Sequence, residues 1–408
     1  MGVGNCLIGR QAILNRNESI VAYELLFRSV ASPFSMVGDA TQATANVIVN
    51  SLTEFGLENL LGQHRGFINL DTDLLMDDSL NILPKGQIVI ELLETIEVTP
   101  AFVEHCRSLK GLGFTLALDD HDYNPDFHEL YNIVDIVKVD LIQSPVAQLG
   151  ESIKQFKRYP LQLLAEKVET DEEFQSCLGL GFDLFQGYYF AKPSLMKKKR
   201  LGESTTTMLK LMRLLDEDAE LAEIEEIIKK SPGLTYKLLL LVNSVGIGAR
   251  SKIESVRHAI TIIGRHQIKR WVQLALFAGD DSRGMENPLV EMAAVRASIM
   301  ENLACRHPVL KNDRESAEKA FIVGILSILD SVYEVPMDDV LRALNLSEDI
   351  RDALVSHAGD FGRLLHVAKH LEAMDSDAVL SCLGSTGLTL DNVLQAQMNA
   401  YAWRSQIG

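Results

Sequence analysis

The sequence predicts an α/β fold, a TIM-like (β/α) barrel, in its first half and an all-helical domain in its second. Three observations predict this. Up to about residue 200, short apolar runs rich in Val, Ile, Leu and Phe alternate with amphipathic stretches, the rhythm of strands and helices on a parallel sheet. Nearly every run ends in a polar or ionisable residue (Asn69, Glu91, Asp119, Lys138, Glu166, Gln186). Such a series suits a closed barrel, whose C-terminal strand ends converge on one mouth. From about residue 203 strand signals vanish and apolar residues recur at helical spacing. With 408 residues, the chain exceeds one ordinary core, although length alone also allows a single large α/β barrel. The expected domains are 1–200 and 201–408.

Each element has its own signal. Residues 6–14 and 20–27 flank the polar turn Asn15-Arg16-Asn17-Glu18, a hairpin pattern. A helical stretch follows near 40–56, then strands at 66–70, 87–91, 114–119, 136–140, 161–166 and 183–186. Helices fit the gaps at about 100–112, 148–158 and 171–180. In the second half Leu221, Ile224, Ile227 and Ile228 recur at helical spacing. Ser231 before Pro232 reads as an N-cap and first helical position. Further helical patterns run over 255–280, 288–306, 315–328, 348–372 and 388–403.

Composition narrows the function classes. The net charge of −17, with no basic stripe to offset it, argues against binding nucleic acid, whose phosphates a binder must neutralise. The one basic run, Lys197-Lys198-Lys199-Arg200, reads as a solvated boundary segment. Five scattered cysteines without a Cys-x-x-Cys pair exclude common zinc knuckles and point to reduced thiols in the cytoplasm. The N-terminus lacks the pattern of a signal peptide, and apolar runs such as Leu238–Val242 are far short of a membrane span. A soluble, cytoplasmic protein without a membrane partner is expected.

The strand-end residues Glu24, Glu91, Asp119, Asp120 and Glu166, with Asn69, form an oxygen-rich set. Such ligands suit the hard cations Mg²⁺ and Mn²⁺. Two such ions side by side can activate a water and stabilise the leaving oxygen of a phosphodiester. Lys138 could orient that water or offset developing charge, and the planar fork of Arg28 could hold a phosphate or a guanine edge.

In order along the chain, Tyr23-Glu24-Leu25-Leu26-Phe27-Arg28, Ile68-Asn69-Leu70, Ile90-Glu91-Leu92-Leu93-Glu94 and Asp119-Asp120 are followed by Lys138-Val139-Asp140, Ala165-Glu166-Lys167-Val168-Glu169 and Gln186-Gly187-Tyr188. This series resembles the EAL domain family over about residues 5–195. The resemblance implies hydrolysis of cyclic diguanylate (cyclic-di-GMP) to a linear dinucleotide. Glu24, Asn69, Glu91, Asp119, Asp120 and Glu166 would be metal ligands, and Lys138 would sit at the catalytic water beside Glu166. Glu94 would tie down the loop after the aspartate pair, while Arg28 and Gln186 would contact the dinucleotide or support the site. EAL barrels often pair, so a homodimer is expected.

The chain departs from the family at three places. Glu24-Leu25-Leu26 replaces Glu-Ala-Leu, and Asp119-Asp120-His121-Asp122 replaces Asp-Asp-Phe-Gly ahead of a loop without glycine. Lys167 stands where active members have Gly, and its ammonium could repel the ions or act as a charge surrogate. His121 beside Asp122 reads as a solvated loop pair rather than a metal site. These departures resemble an EAL subgroup with a C-terminal HDOD domain, the metal-free relative of HD phosphohydrolases. Glu226–Leu234, Lys237–Ser244, Ser255–Gly264 and Arg270–Leu274 are similar to that domain. No His after residue 200 precedes an Asp, and His258, His266, His307, His357, His366 and His370 read as isolated surface or core histidines. The expectation is therefore a signalling protein with a degenerate barrel, coupled to a protein partner through the helical domain. The alternative is an active phosphodiesterase.

Overall fold

The computed structural model describes residues 6–29, 56–70, 83–93, 96–191, 203–217, 219–229, 286–328, 337–342 and 346–406, with a few single or paired positions between them. The expected helix at 40–56, the basic run at 197–200, Ser231-Pro232 and most of 255–280 lie outside the described residues, apart from Gly56 and scattered positions near 260–272. The chain forms two compact units, residues 1–192 and 193–408.

The first unit is a closed eight-stranded barrel: β1 (Cys6–Asn15), β2 (Ile20–Ser29), β3 (Arg65–Leu70), β4 (Ile88–Leu92), β5 (Thr115–Leu118), β6 (Ile136–Asp140), β7 (Gln162–Glu166) and β8 (Leu184–Phe185). It departs from an all-parallel barrel at one strand. β1 runs antiparallel to both β2 and β8, whereas β2 through β8 are mutually parallel. The cause is the hairpin after β1. The Asn15 side-chain oxygen accepts from the backbone amides of Asn17 (2.8 Å) and Ser19 (3.1 Å), and Glu18 takes a left-handed φ of 57°. That local Asx geometry reverses the chain within a few residues. The described helices of this unit are α1 (Leu57–Leu61), α2 (Pro100–Gly111), α3 (His128–Tyr131), α4 (Gly150–Phe156) and α5 (Asp171–Leu180). α5 starts with a full capping box between Thr170 and Glu173 and ends on left-handed Gly181.

One apolar layer plugs the barrel. Ile13, Ala22, Phe67, Val89, Ala117, Ile136 and Leu164 form a buried cluster with Leu184 packed against it, one residue from each strand. Residues from all eight strands can meet only inside the closed sheet. Because side chains alternate between faces, the residue two positions further along each strand also points inward. On β2 through β8, or one residue past their ends, those residues are Glu24, Asn69, Glu91, Asp119, Lys138, Glu166 and Gln186. The period of two thus stacks a polar layer directly on the apolar one.

The second unit is helical throughout its described residues: α6 (Glu203–Asp216), α7 (Leu221–Lys229), α8 (Pro288–Ala304), α9 (Arg314–Leu326), α10 (Met337–Arg342), α11 (Glu348–Val355), α12 (Gly359–Glu372), α13 (Ser376–Thr386) and α14 (Leu390–Gln406). α8 is its axis, buried along most of its length and packed on α9, α12 and α14. α9 crosses it closely at Gly324, where a Cβ would lie 2.5 Å from the Ala297 Cα. Buried Arg296 of α8 is held by Glu372 (Nε–Oε1 2.7 Å) and Ser327 (2.8 Å). Two sequence expectations need correction. The pattern at 348–372 is two helices, because left-handed His357 (φ 55°) and Gly359 (φ 72°) break it. The helix at 376–386, capped by Asp375, was not anticipated, since its exposed face interrupts the apolar spacing.

Candidate metal and phosphodiester site in the barrel mouth

The polar layer closes around Lys138. Its Nζ lies 2.6 Å from Asp119 Oδ1, 3.0 Å from Glu166 Oε1 and 3.7 Å from Glu24 Oε1, and it also pairs with Glu91 Oε1. Lys138 and Glu91 are fully buried, and Glu24 and Glu166 nearly so. Glu24 is steadied from both sides: Asn69 Nδ2 donates to its Oε1 (3.0 Å), and buried Gln186 Nε2 donates to its Oε2 (2.5 Å). The register seats Asn69 opposite Glu91 and Asp140 opposite Glu166. Oxygens of Asp119, Asp120 and Glu166 come within 4.8 Å of one another. The structure thus brings together Glu24, Asn69, Glu91, Asp119, Asp120, Lys138, Glu166 and Gln186. Glu94 lies outside the described residues, as does the side chain of Arg28.

Electrostatics here are dominated by a surplus of acid. Burial alone would lower the Lys138 pKa, but Glu91, Glu24, Glu166 and Asp119 outweigh it and hold the ammonium well above the usual lysine range. One cation cannot serve all these carboxylates. Burial pushes Glu91 well above the ordinary carboxylate range against the pull of Lys138. Burial likewise lifts Glu166 to about 8, again against Lys138, with Asp119 and Glu24 adding to the rise.

A hard divalent cation fits this donor set. All the donors are oxygens, most of them anionic. Asn69 Oδ1, Glu166 Oε2 and Gln186 Oε1 are buried acceptors with no hydrogen-bond donor among the described residues. Unpartnered buried oxygens are costly, and a coordinated cation would remove that cost.

Two features around the mouth depart from the sequence reading. His121 is buried rather than solvated. Its Nε2 lies 2.7 Å from the Tyr131 hydroxyl, which donates to the Asn124 carbonyl (3.0 Å). Its ring packs against Phe127, Tyr131 and Phe156 at centroid distances of 4.6, 5.6 and 6.4 Å. Burial lowers its pKa to about 4, so the ring is neutral. Asp122 is exposed and accepts from the Ser144 hydroxyl. The loop after the aspartate pair is therefore anchored by an aromatic pad, with Tyr131 as its hub.

The second feature is Lys167. Its ammonium does not enter the cage; it pairs with Asp140 Oδ2 at 2.6 Å and lies 3.9 Å from Asp120 Oδ1. Sequence reasoning gave Asp140 no role. The signal was available, because Asp140 follows Lys138 by two positions on the same inward face. Its carboxylate also accepts from the Ile142 amide at 2.7 Å. Burial would raise its pKa, yet the Lys167 and Ile142 hydrogen bonds bring it below the usual value. Gly187, beside Gln186, is required by space, since a Cβ would meet the Val168 backbone N and O at 2.3 Å.

A closed barrel with an acidic, lysine-centred mouth, carried on the same chain as a helical bundle, defines a barrel-plus-helical two-domain class. Comparison with known proteins makes the class specific. The EAL domain model matches residues 11–193 and the HDOD domain model residues 201–335. The chain is 30% identical over 404 residues to the uncharacterized protein YuxH of Bacillus subtilis, covering 97% of each. It is 30% identical over 406 residues to the cyclic di-GMP phosphodiesterase CdgJ of Vibrio cholerae, covering 98% of this chain and 92% of CdgJ. Among solved structures, Klebsiella pneumoniae BlrP1 in a manganese and cyclic-di-GMP complex shares 26% identity at a TM-score of 0.38, over 46% of this chain and 55% of that one. The chain belongs to the EAL–HDOD family of bacterial signalling proteins. No helix among the described residues is long and apolar enough to cross a membrane.

Proposed function

We propose that this protein is a cytoplasmic cyclic-di-GMP-linked signalling protein whose barrel binds Mg²⁺ or Mn²⁺ and the dinucleotide, turns it over slowly, and signals to a protein partner through its helical domain. One observation carries this reading. The acidic cage around Lys138 is complete, but the Lys167 ammonium stands 3.9 Å from Asp120 at one end of it.

Glu24, Asn69, Glu91, Asp119, Asp120 and Glu166 would hold the cations, which supply Lewis-acid stabilisation and an activated water when bound. The chain's own residues do the rest. Gln186 and Asn69 fix the Glu24 carboxylate by hydrogen bonds. Lys138 keeps a positive charge at the floor of the mouth, where it can orient a water and offset charge on the phosphodiester. The Tyr131 pad holds the loop at 121–127 in one arrangement, which restricts closure over a bound substrate. Arg28 and Glu94 keep the roles that the resemblance implies: a contact to the dinucleotide and a tether for the loop after Asp120.

A second reading, an efficient phosphodiesterase, is favoured by that same complete cage and by full-length similarity to a relative named as a cyclic di-GMP phosphodiesterase. The test is titration of the full chain with cyclic-di-GMP in Ca²⁺, followed by product analysis in Mg²⁺ and Mn²⁺. Tight binding with slow release of linear product supports the proposal. Brisk turnover selects the second reading, and no binding with any cation sinks both.

A further inference from the structure

Lys167 combines three properties that set it apart among the described cations of the mouth. Its ammonium, on a half-exposed side chain, is tied by one short ion pair: Asp140 Oδ2 lies 2.6 Å away, and Asp140 is itself buried and bonded to the Ile142 amide. It stands at one end of the acidic layer, 3.9 Å from Asp120 Oδ1, while Lys138 occupies the centre. Its backbone is left-handed, with φ 56°, as is that of Asp120 at 41°. A residue with a side chain is strained there and glycine is not.

The Asp119, Asp120 and Glu166 oxygens beside it form a group on which one of the two proposed cations could sit, and Lys138 touches Asp119 (2.6 Å) and Glu166 (3.0 Å) from its other side. Glu166, more than nine-tenths buried, leaves its Oε2 without a hydrogen-bond partner among the described residues. We infer that Lys167, clamped by Asp140, is a resident positive charge that holds down occupancy of the Asp119–Asp120–Glu166 cation position, so that the barrel takes one divalent cation readily and a second only at higher concentration. The inference rests on the proposal that the mouth binds metal. Two cations a few ångströms apart in a partly buried site repel by enough to weaken binding on the order of tenfold or more. Turnover that needs both ions would then follow the divalent-cation concentration, whereas dinucleotide binding supported by the first ion would not.

The test counts bound Mn²⁺ on the full chain by calorimetry and electron paramagnetic resonance, without substrate. The proteins are the wild type, Lys167→Met (charge removed), Lys167→Gly (charge and strain removed) and Lys167→Arg (charge kept). The wild type and Lys167→Arg should bind one Mn²⁺ tightly and a second more weakly. In Lys167→Met and Lys167→Gly the second should tighten by on the order of tenfold or more. Tightening in the glycine variant alone would place the cause in the backbone and overturn the inference, as would a wild type that binds two ions with affinities unchanged in every variant. Absence of Mn²⁺ binding in all four proteins would overturn the metal reading of the barrel itself.

Discussion

Two layers of the same barrel, two residues apart on each strand, do opposite work. The lower layer is Ile13, Ala22, Phe67, Val89, Ala117, Ile136, Leu164 and Leu184. It is apolar, close-packed and internally satisfied. The upper layer on β2 through β8 is Glu24, Asn69, Glu91, Asp119, Lys138, Glu166 and Gln186. It has more acid than one lysine can neutralise, and several of its oxygens lack donors among the described residues. The difference teaches where this barrel keeps its stability and where it gives stability up. A buried charge cluster is rarely a net source of folding energy, so the upper layer makes physical sense as a receptor for added positive charge.

Substitutions should separate the layers, and the largest effect is expected below. Phe67→Ala leaves a cavity in the plug and should cost about 3–5 kcal/mol, read from urea unfolding, with or without Mn²⁺. Glu91→Gln in the upper layer should act the other way. It replaces a carboxyl that burial already drives towards its neutral form, so metal-free stability should hold or rise, while Mn²⁺ affinity falls by at least about a hundredfold, more than loss of a supporting contact costs. If Glu91→Gln unfolds the metal-free protein as Phe67→Ala does, the two layers are not energetically distinct. Lys138→Met sharpens the contrast: it leaves the carboxylates without their shared cation and should cost about 3–5 kcal/mol in the metal-free protein, with Mn²⁺ recovering part of the loss in a thermal melt.

Much of this was legible in the sequence. The strand ends gave the barrel and its polar mouth because a period of two forces residues such as Val89 and Glu91, or Ile136 and Lys138, onto one face. What stayed hidden depends on distance across the fold. The Lys167–Asp140 pair joins the end of β6 to the residue just after β7, and no periodicity reports it. His121 looked like a solvated loop residue because its partners, Tyr131 and Phe156, come from later elements. In the helical unit, the break at His357 rests on a backbone angle that a non-glycine residue seldom announces.

The smallest expected effect, per unit of the variable changed, is on pH dependence. Burial first, and then Asp119 and Glu24, raise Glu166 to about 8, while its ordinary value is 4.5. Between those values the folded, metal-free protein holds a proton that the unfolded chain has released. Stability must then fall as pH rises across that window, with a slope on the order of 1 kcal/mol per pH unit at most. A divalent cation displaces that proton, so Mn²⁺ binding at pH 7 should release protons and tighten towards pH 8.5. Denaturant midpoints from pH 5 to 8, with and without Mn²⁺, check both signs. The apolar layer has no titratable group, so Phe67→Ala should lower the midpoint at every pH without changing the slope. Glu166→Gln should flatten the slope, and a slope that survives Glu166→Gln would assign the proton to Glu91, the more deeply buried carboxylate of the same layer.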